Sequence, residues 1–257
     1  MAYNIKEIGR NDIKNPILIE GLPGIGNIGK IAVDFIIDSL KAKKIFEINS
    51  YNFPHAVFIN EDHLVELPKI EIYHKNLNGR DILLLAGDIQ PIDESSCYEF
   101  CERILDIIEG YGGKEIITIG GIGLQQIPEN PQVYCTANNS DIIKKYKSRN
   151  LNNNIYGIVG PIMGVTGLLV GLSKKRNIHS IALLAETFGH PSYLGIKGSR
   201  EVLRILNEKL KLKIDLSKLD SEIGKIEKEI MIKEQDLRKS KKKEAKPKTD
   251  MFTDYIG

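Results

Sequence analysis

ILIEGLPGIGNIGKIAVDFII, residues 17–37, decides how this chain is read. Its first four residues, with Pro16 before them, are β-prone and apolar up to Glu20. They stop at Gly21 and a Pro23-Gly24 turn, which reads as a strand running into a loop. From Asn27 to Leu40 apolar residues recur at Ile28, Ile31, Ala32, Phe35, Ile36 and Leu40, the period of a helix. KIFEI (44–48) follows as a second strand. Strand, glycine-rich turn, helix and strand make a βαβ unit.

The turn itself, GIGNIGK (24–30), matches two phosphate-binding patterns by letter. As G-x-x-x-x-G-K it begins a P-loop, but the next residue must carry a hydroxyl to ligate magnesium, and here it is Ile31. As G-x-G-x-x-G it fits the dinucleotide turn, with Glu47 at the distance of the ribose-binding acid. That acid should cap its strand, whereas Glu47 lies within FEI, where it reads equally as an outward strand residue. Gly24, Gly26, Asn27 and Gly29 therefore stand as a candidate anion or ligand site. The competing reading is close packing of helix on strand, which also favours glycine.

Outward from this unit the pattern changes and then returns. HAVFI (55–59) and HLVEL (63–67) flank Asn60-Glu61-Asp62 as a hairpin, and KIEIYHK (69–75) turns at Asn78-Gly79 into the continuous apolar run ILLLAGD (82–88). Helices are expected over 94–109, 141–147, 165–174 and 199–212. Strands are expected over 115–121, 132–137, 154–159 and 177–186. Alternation of this kind predicts an α/β domain over residues 1–213, with a mostly parallel sheet, helices on both faces and a small antiparallel insertion.

Glycine clusters also follow two of the later strands, at 120–123 and 157–161. If they share the carboxyl edge of one sheet with Gly24, they line the crevice where open α/β folds take ligands. In AETFGHP, Glu186 is expected to end a strand with His190 four residues on, the best available pair for acid–base work. These features keep a nucleotide-binding or small-molecule enzyme in view. His55, His63 and His74 show no metal-ligand spacing, no nucleophile motif is present, and neither a metal nor a cofactor is expected. Cys97, Cys101 and Cys135 are odd in number and lack a C-x-x-C pair, as reduced, buried thiols would.

Composition narrows the classes further. The 257 residues carry a net charge of +2, but Arg238–Asp250 alone carries +5, leaving −3 for the rest. A folded body of that sign does not suit nucleic acid. No apolar run is long enough for a membrane span, and the polar start lacks a secretory signal, so a cytoplasmic protein is expected.

The carboxyl end has its own logic. Leu216, Leu219, Ile223, Ile226, Ile230 and Leu237 follow a 3-4 spacing with Lys233 in the missing slot, a heptad seam within residues 214–240. Glu229–Lys233 and Glu234–Arg238 add i, i+4 pairs in the favoured order. Self-association or docking through this helix is expected. Residues 241–257 begin as a lysine-rich linker and end in MFTDYIG, where Met251, Phe252, Tyr255, Ile256 and Gly257 form an apolar terminus suited to a partner's groove.

Several segments together resemble one family. EGLPGIGNIGK, GDIQPIDESSCYEFCERIL, ITIGGIG and GIVGPIMGVTGLLVGLSKKRNI followed by LLAETFGHPSYLG occur in the order found in the proteasome assembly chaperones. The branch is that of the second chaperone of the eukaryotic pair, and the likeness covers residues 16–212. The resemblance implies a fold related to nucleoside phosphorylases and no established catalytic activity. It also implies α-subunits of the 20S proteasome as partners, and homo-oligomers among archaeal relatives. The family and the proteasome activators use a terminal hydrophobic-Tyr-any tripeptide. Here Tyr255 is third from the end and Asp254 precedes it, so ring and carboxylate are present one residue further apart.

Overall fold

The computed structural model describes residues 3–9, 12–155, 157, 160–221, 223 and 224. The chain divides into two units, 1–216 and 217–257. The first contains strands β1 (Tyr3–Glu7), β2 (Ile17–Glu20), β3 (Lys43–Ser50), β4 (Phe58–Ile59), β5 (Val65–Glu66), β6 (Ile70–Leu77), β7 (Arg80–Gly87), β8 (Glu115–Leu124), β9 (Val133–Ala137), β10 (Leu151–Asn152) and β11 (His179–Phe188). Its helices are α1 (Ile28–Leu40), α2 (Glu94–Gly110), α3 (Ser140–Tyr146), α4 (Gly164–Ser173) and α5 (Ile196–Leu210).

Nine strands form one sheet in the order β1-β3-β6-β7-β2-β8-β11-β9-β10, and β4 and β5 form a separate ribbon. The sheet is mixed, not mostly parallel. Its middle, β7-β2-β8-β11, is parallel, while β1, β3 and β6 join on antiparallel and β9 runs antiparallel to β11. The cause on one side is local. Asn78 and Gly79 both hold positive φ, 53° and 81°, which reverses β6 directly into β7. That hairpin also stands between β2 and β3, so the strands of the opening βαβ unit share a direction without touching.

One expected strand is shifted. Among the described residues, pairing with β9 occurs at Leu151 and Asn152, ahead of the expected 154–159. The Asn152 side chain accepts from the Asn154 N–H at 2.9 Å, a local turn that ends the ladder there. Tyr156, Ile158 and Val159 lie outside the described residues.

The core follows from strand alternation. Leu18, Leu83, Leu85 and Ile116 pack with Phe100, Cys101, Ile104, Leu105 and Ile108 of α2 and with Val165, Leu169 and Leu172 of α4. On the other face α1 packs with α5. Each fully buried Leu, Ile or Phe contributes about 1.5–3 kcal/mol. Two helix starts carry side-chain caps: Asp93 accepts from the Ser96 N–H at 2.9 Å, and Asn139 from the N–H groups of Asp141 and Ile142. Cys97, Cys101 and Cys135 are buried free thiols. Among the described residues no helix is long and apolar enough to cross a membrane.

Of the second unit, residues 217–221, 223 and 224 are helical. The heptad positions Leu219 and Ile223 fall there, and Leu216 sits at the turn before it. Ile226, Ile230 and Leu237, with the terminal Met251, Phe252, Tyr255, Ile256 and Gly257, lie outside the described residues.

Candidate functional site

The carboxyl ends of β2 and β8 and the amino ends of α1 and α4 surround a cleft of about 410 Å³. All three glycine clusters reach it: Pro23, Gly24 and Gly29 from the first, Gly120–Gly123 from the second, Gly160 and Pro161 from the third. Leu22, Ile25, Ile119, Ile122, Ile162, Met163 and Leu184 complete the apolar wall, and Gln90 and Thr166 supply the polar side chains. The sheet edge gathers them because β8 continues to Leu124 while its neighbour β2 stops at Glu20.

Most of the opening glycines serve packing. A Cβ on Gly21 would fall 2.2 Å from the Gly29 carbonyl oxygen, and one on Gly29 would fall 2.6 Å from that of Ile119. No side chain fits between α1 and the strands at that separation. Gly26 has a φ of 64°, and its Cβ would meet Thr187 Oγ1 at 2.5 Å. Gly26 and Asn27 are not among the cleft's lining residues. Lys30, the residue a P-loop would aim at phosphate, donates to the Gly87 carbonyl at 3.1 Å and pairs with Asp34 at 3.1 Å.

Glu186 and His190 stand apart from the cleft and have separate partners. β11 runs on to Phe188, so Glu186 lies within the strand and not at its end. Its carboxylate accepts from the Gln132 N–H at 2.9 Å and from the Tyr134 hydroxyl at 3.4 Å. The His190 ring stacks on Phe188 with centroids 5.7 Å apart, and its Nδ1 accepts from the Ser192 N–H.

A titratable group behind the cleft's polar wall is one that sequence reading passed over. Glu20 ends β2 with no exposed surface. Its Oε1 accepts from the Leu22 N–H at 2.9 Å and its Oε2 from the Thr166 hydroxyl at 3.2 Å. Burial pushes this carboxyl up to about 7 against the opposing pull of those hydrogen bonds. Gln90 was also missed. Its amide donates to the Pro23 carbonyl at 2.8 Å and its oxygen accepts from the Val165 N–H at 3.3 Å, tying the turn after β2 to the start of α4. A lone acid closing an otherwise apolar strand was the available signal for Glu20. Gln90 had none, because its partners are 67 and 75 residues away.

Among the described residues the lining contains no Lys, Arg or His. Its chemistry is therefore hydrogen bonding beside an apolar wall, with a buried carboxyl behind Thr166. Among the described residues no group of three or more His, Cys, Asp and Glu is placed to hold a metal ion. A second, larger groove of about 660 Å³ lies between the β1–β3 edge and the β4–β5 ribbon, lined by Tyr51, Phe53, Pro54, Val57 and Leu67 among others. The ribbon exposes Phe58, Ile59, Leu64, Val65 and Leu67.

Comparison with known proteins agrees with this architecture. The crystal structure of Pyrococcus furiosus PbaB, an archaeal proteasome activator, is 34% identical, with a TM-score of 0.84 over 91% of this chain and 99% of that one. Pyrococcus furiosus PbaA, an archaeal homolog of proteasome-assembly chaperone, is 23% identical, with a TM-score of 0.76 over 95% of this chain and 96% of its own, and shares the fold. A Methanocaldococcus jannaschii protein, MJ1210, is 28% identical over 264 residues, covering 100% of both chains. The PAC2 family model matches residues 18–232. With sheet, helices and glycine turns nearly all inside that span, this chain belongs to the PAC2 family.

Proposed function

We propose that this protein is a non-enzymatic, chaperone-like binding protein that engages α-subunits of the 20S proteasome. The observation that carries the reading is the 34% identity to PbaB over 91% of this chain. The glycine turns support it, because their tightest contacts hold helix to sheet and Lys30 is committed elsewhere. The β4–β5 ribbon supports it too, since contiguous exposed apolar side chains suit contact with another protein.

In this mechanism the folded body supplies a surface and the heptad residues Leu216, Leu219, Ile223, Ile226, Ile230 and Leu237 set a homo-oligomeric state. The lysine-rich linker lets Met251–Gly257 search for a groove, at a raised effective concentration once the body is bound. Tyr255 and the terminal carboxylate are the anchoring groups.

The test is capture of recombinant α-subunits by the full chain and by a chain lacking Met251–Gly257. Weaker capture with an unchanged melting curve supports the tail. Equal capture removes it from the mechanism, and no capture by either chain overturns the partner. The PbaB likeness also favours a second reading, activation of assembled proteasomes. Faster peptide hydrolysis by the mature 20S particle, without faster α-ring formation, would select it.

A further inference from the structure

We propose that the cleft between the ends of β2 and β8 and the start of α4 is a binding site for an uncharged small molecule with an apolar body and a hydrogen-bond donor. This stands independently of the proteasome reading.

Two lining glycines leave room for an occupant. Packing or a positive φ accounts for Gly21, Gly26, Gly29, Gly121 and Gly167, where a Cβ would lie 2.0–2.6 Å from another atom. Gly24 and Gly160 line the cleft, and among the described residues a Cβ on either meets nothing within 4 Å, with no positive φ at either. Glycine at these two lining positions adds no side chain to the space they border. The wall around them is apolar and wet: Ile25 is 52% exposed and Met163 is 79% exposed. Such surface in a concave site gains from covering by a ligand.

Charge selects the ligand's class. Among the described lining residues there is no Lys, Arg or His, so no side-chain cation offsets the desolvation of an anion, and the Val165 N–H at the start of α4 is already taken by Gln90. The buried carboxyl of Glu20 lies just behind, bonded to Thr166. Thr166 uses its proton toward Glu20, at 3.2 Å, or toward the Ile119 carbonyl, at 3.5 Å. Its oxygen lone pairs are then a side-chain acceptor offered to a ligand donor. The amide of Gln90 spends one N–H on Pro23 and one lone pair on Val165, leaving one of each. The volume, about 410 Å³, lies low in the range of small-molecule sites.

The experiment titrates the full chain with indole, benzimidazole and benzamide, and separately with ADP and inorganic phosphate, reading the Gly120–Gly123 amide and Met163 methyl resonances. The expected result is a saturable shift with at least one uncharged probe and none with ADP or phosphate. Gly24→Leu and Gly160→Leu, each checked for an unchanged melting curve, should both abolish it. If one variant fails to fold, the other decides. The proposal is overturned if no uncharged probe produces a saturable shift, if a folded variant binds like the parent, or if ADP or phosphate binds there instead.

Discussion

Replacing Glu20 with Gln tests the electrostatics of the sheet end directly. The carboxyl is fully buried and its folded-state value rises from the ordinary 4.5 to about 7. An unfolded chain therefore releases this proton near pH 4.5, while the folded chain holds it to about pH 7. Between those values the native state binds more protons, so stability falls as pH rises. The contribution is intact below pH 4.5, is lost progressively through the interval, and is fully lost above about pH 7. At about 1.4 kcal/mol per pH unit, the interval amounts to about 3 kcal/mol. Gln cannot ionise. Its oxygen can keep the Leu22 N–H, and its amide can donate to Thr166 Oγ1 once that hydroxyl turns to the Ile119 carbonyl. Any geometric cost of the exchange is common to both pH values and cancels. Urea denaturation of parent and Glu20→Gln at about pH 4.5 and about pH 8 should show the variant losing about 3 kcal/mol less on going to high pH. A double difference below about 0.5 kcal/mol would refute the assignment of a buried, proton-retaining carboxyl.

Other substitutions separate packing from open space. Gly21→Ala places a methyl 2.2 Å from the Gly29 carbonyl oxygen and should cost about 1–3 kcal/mol, whereas Gly24→Ala meets nothing and should be neutral or stabilising. Equal urea midpoints for the two would contradict the packing assigned to Gly21. Gly79→Ala forces a Cβ onto a φ of 81° and should lower stability by about 1 kcal/mol without changing the sheet's circular dichroism. Arg176 pairs with Glu102, Asp106 and Glu109 along α2, so Arg176→Ala should cost about 1 kcal/mol at low salt. That difference should shrink as salt is added, and a salt-independent loss would point to lost packing instead.

Much of the element order was legible because it rests on local chemistry. Of the apolar positions read for the 27–40 helix, Ile28, Ala32 and Ile36 are buried and Ile31, Phe35 and Leu40 half-buried, while Val33, outside that pattern, is buried too. Asn78-Gly79 requires positive φ wherever it occurs in a tight hairpin, and it holds it here. The acid–base pair of Glu186 and His190 was a different kind of inference. It assumed that a strand ended at Glu186; β11 runs on to Phe188, and Glu186 lies beside β9, where its carboxylate accepts from the Gln132 N–H and the Tyr134 hydroxyl.

The sequence by itself determined most of the strands and helices, where the chain turns and that glycine clusters follow several strands, because period, φ preference and local capping act over a few residues; β1, β10 and the end of β11 were not legible. It also carried the family resemblance that the PAC2 match bears out. Only the tertiary structure decided the strand order, the mixed direction of the sheet and the grouping of three glycine clusters about one cleft. It alone separated glycines held by a backbone 2.2 Å away from those facing open space, and it alone buried Glu20 behind Thr166, 146 residues further on. Those features depend on contacts between distant segments, and the spacing of residues along a chain does not encode which strand will lie beside which.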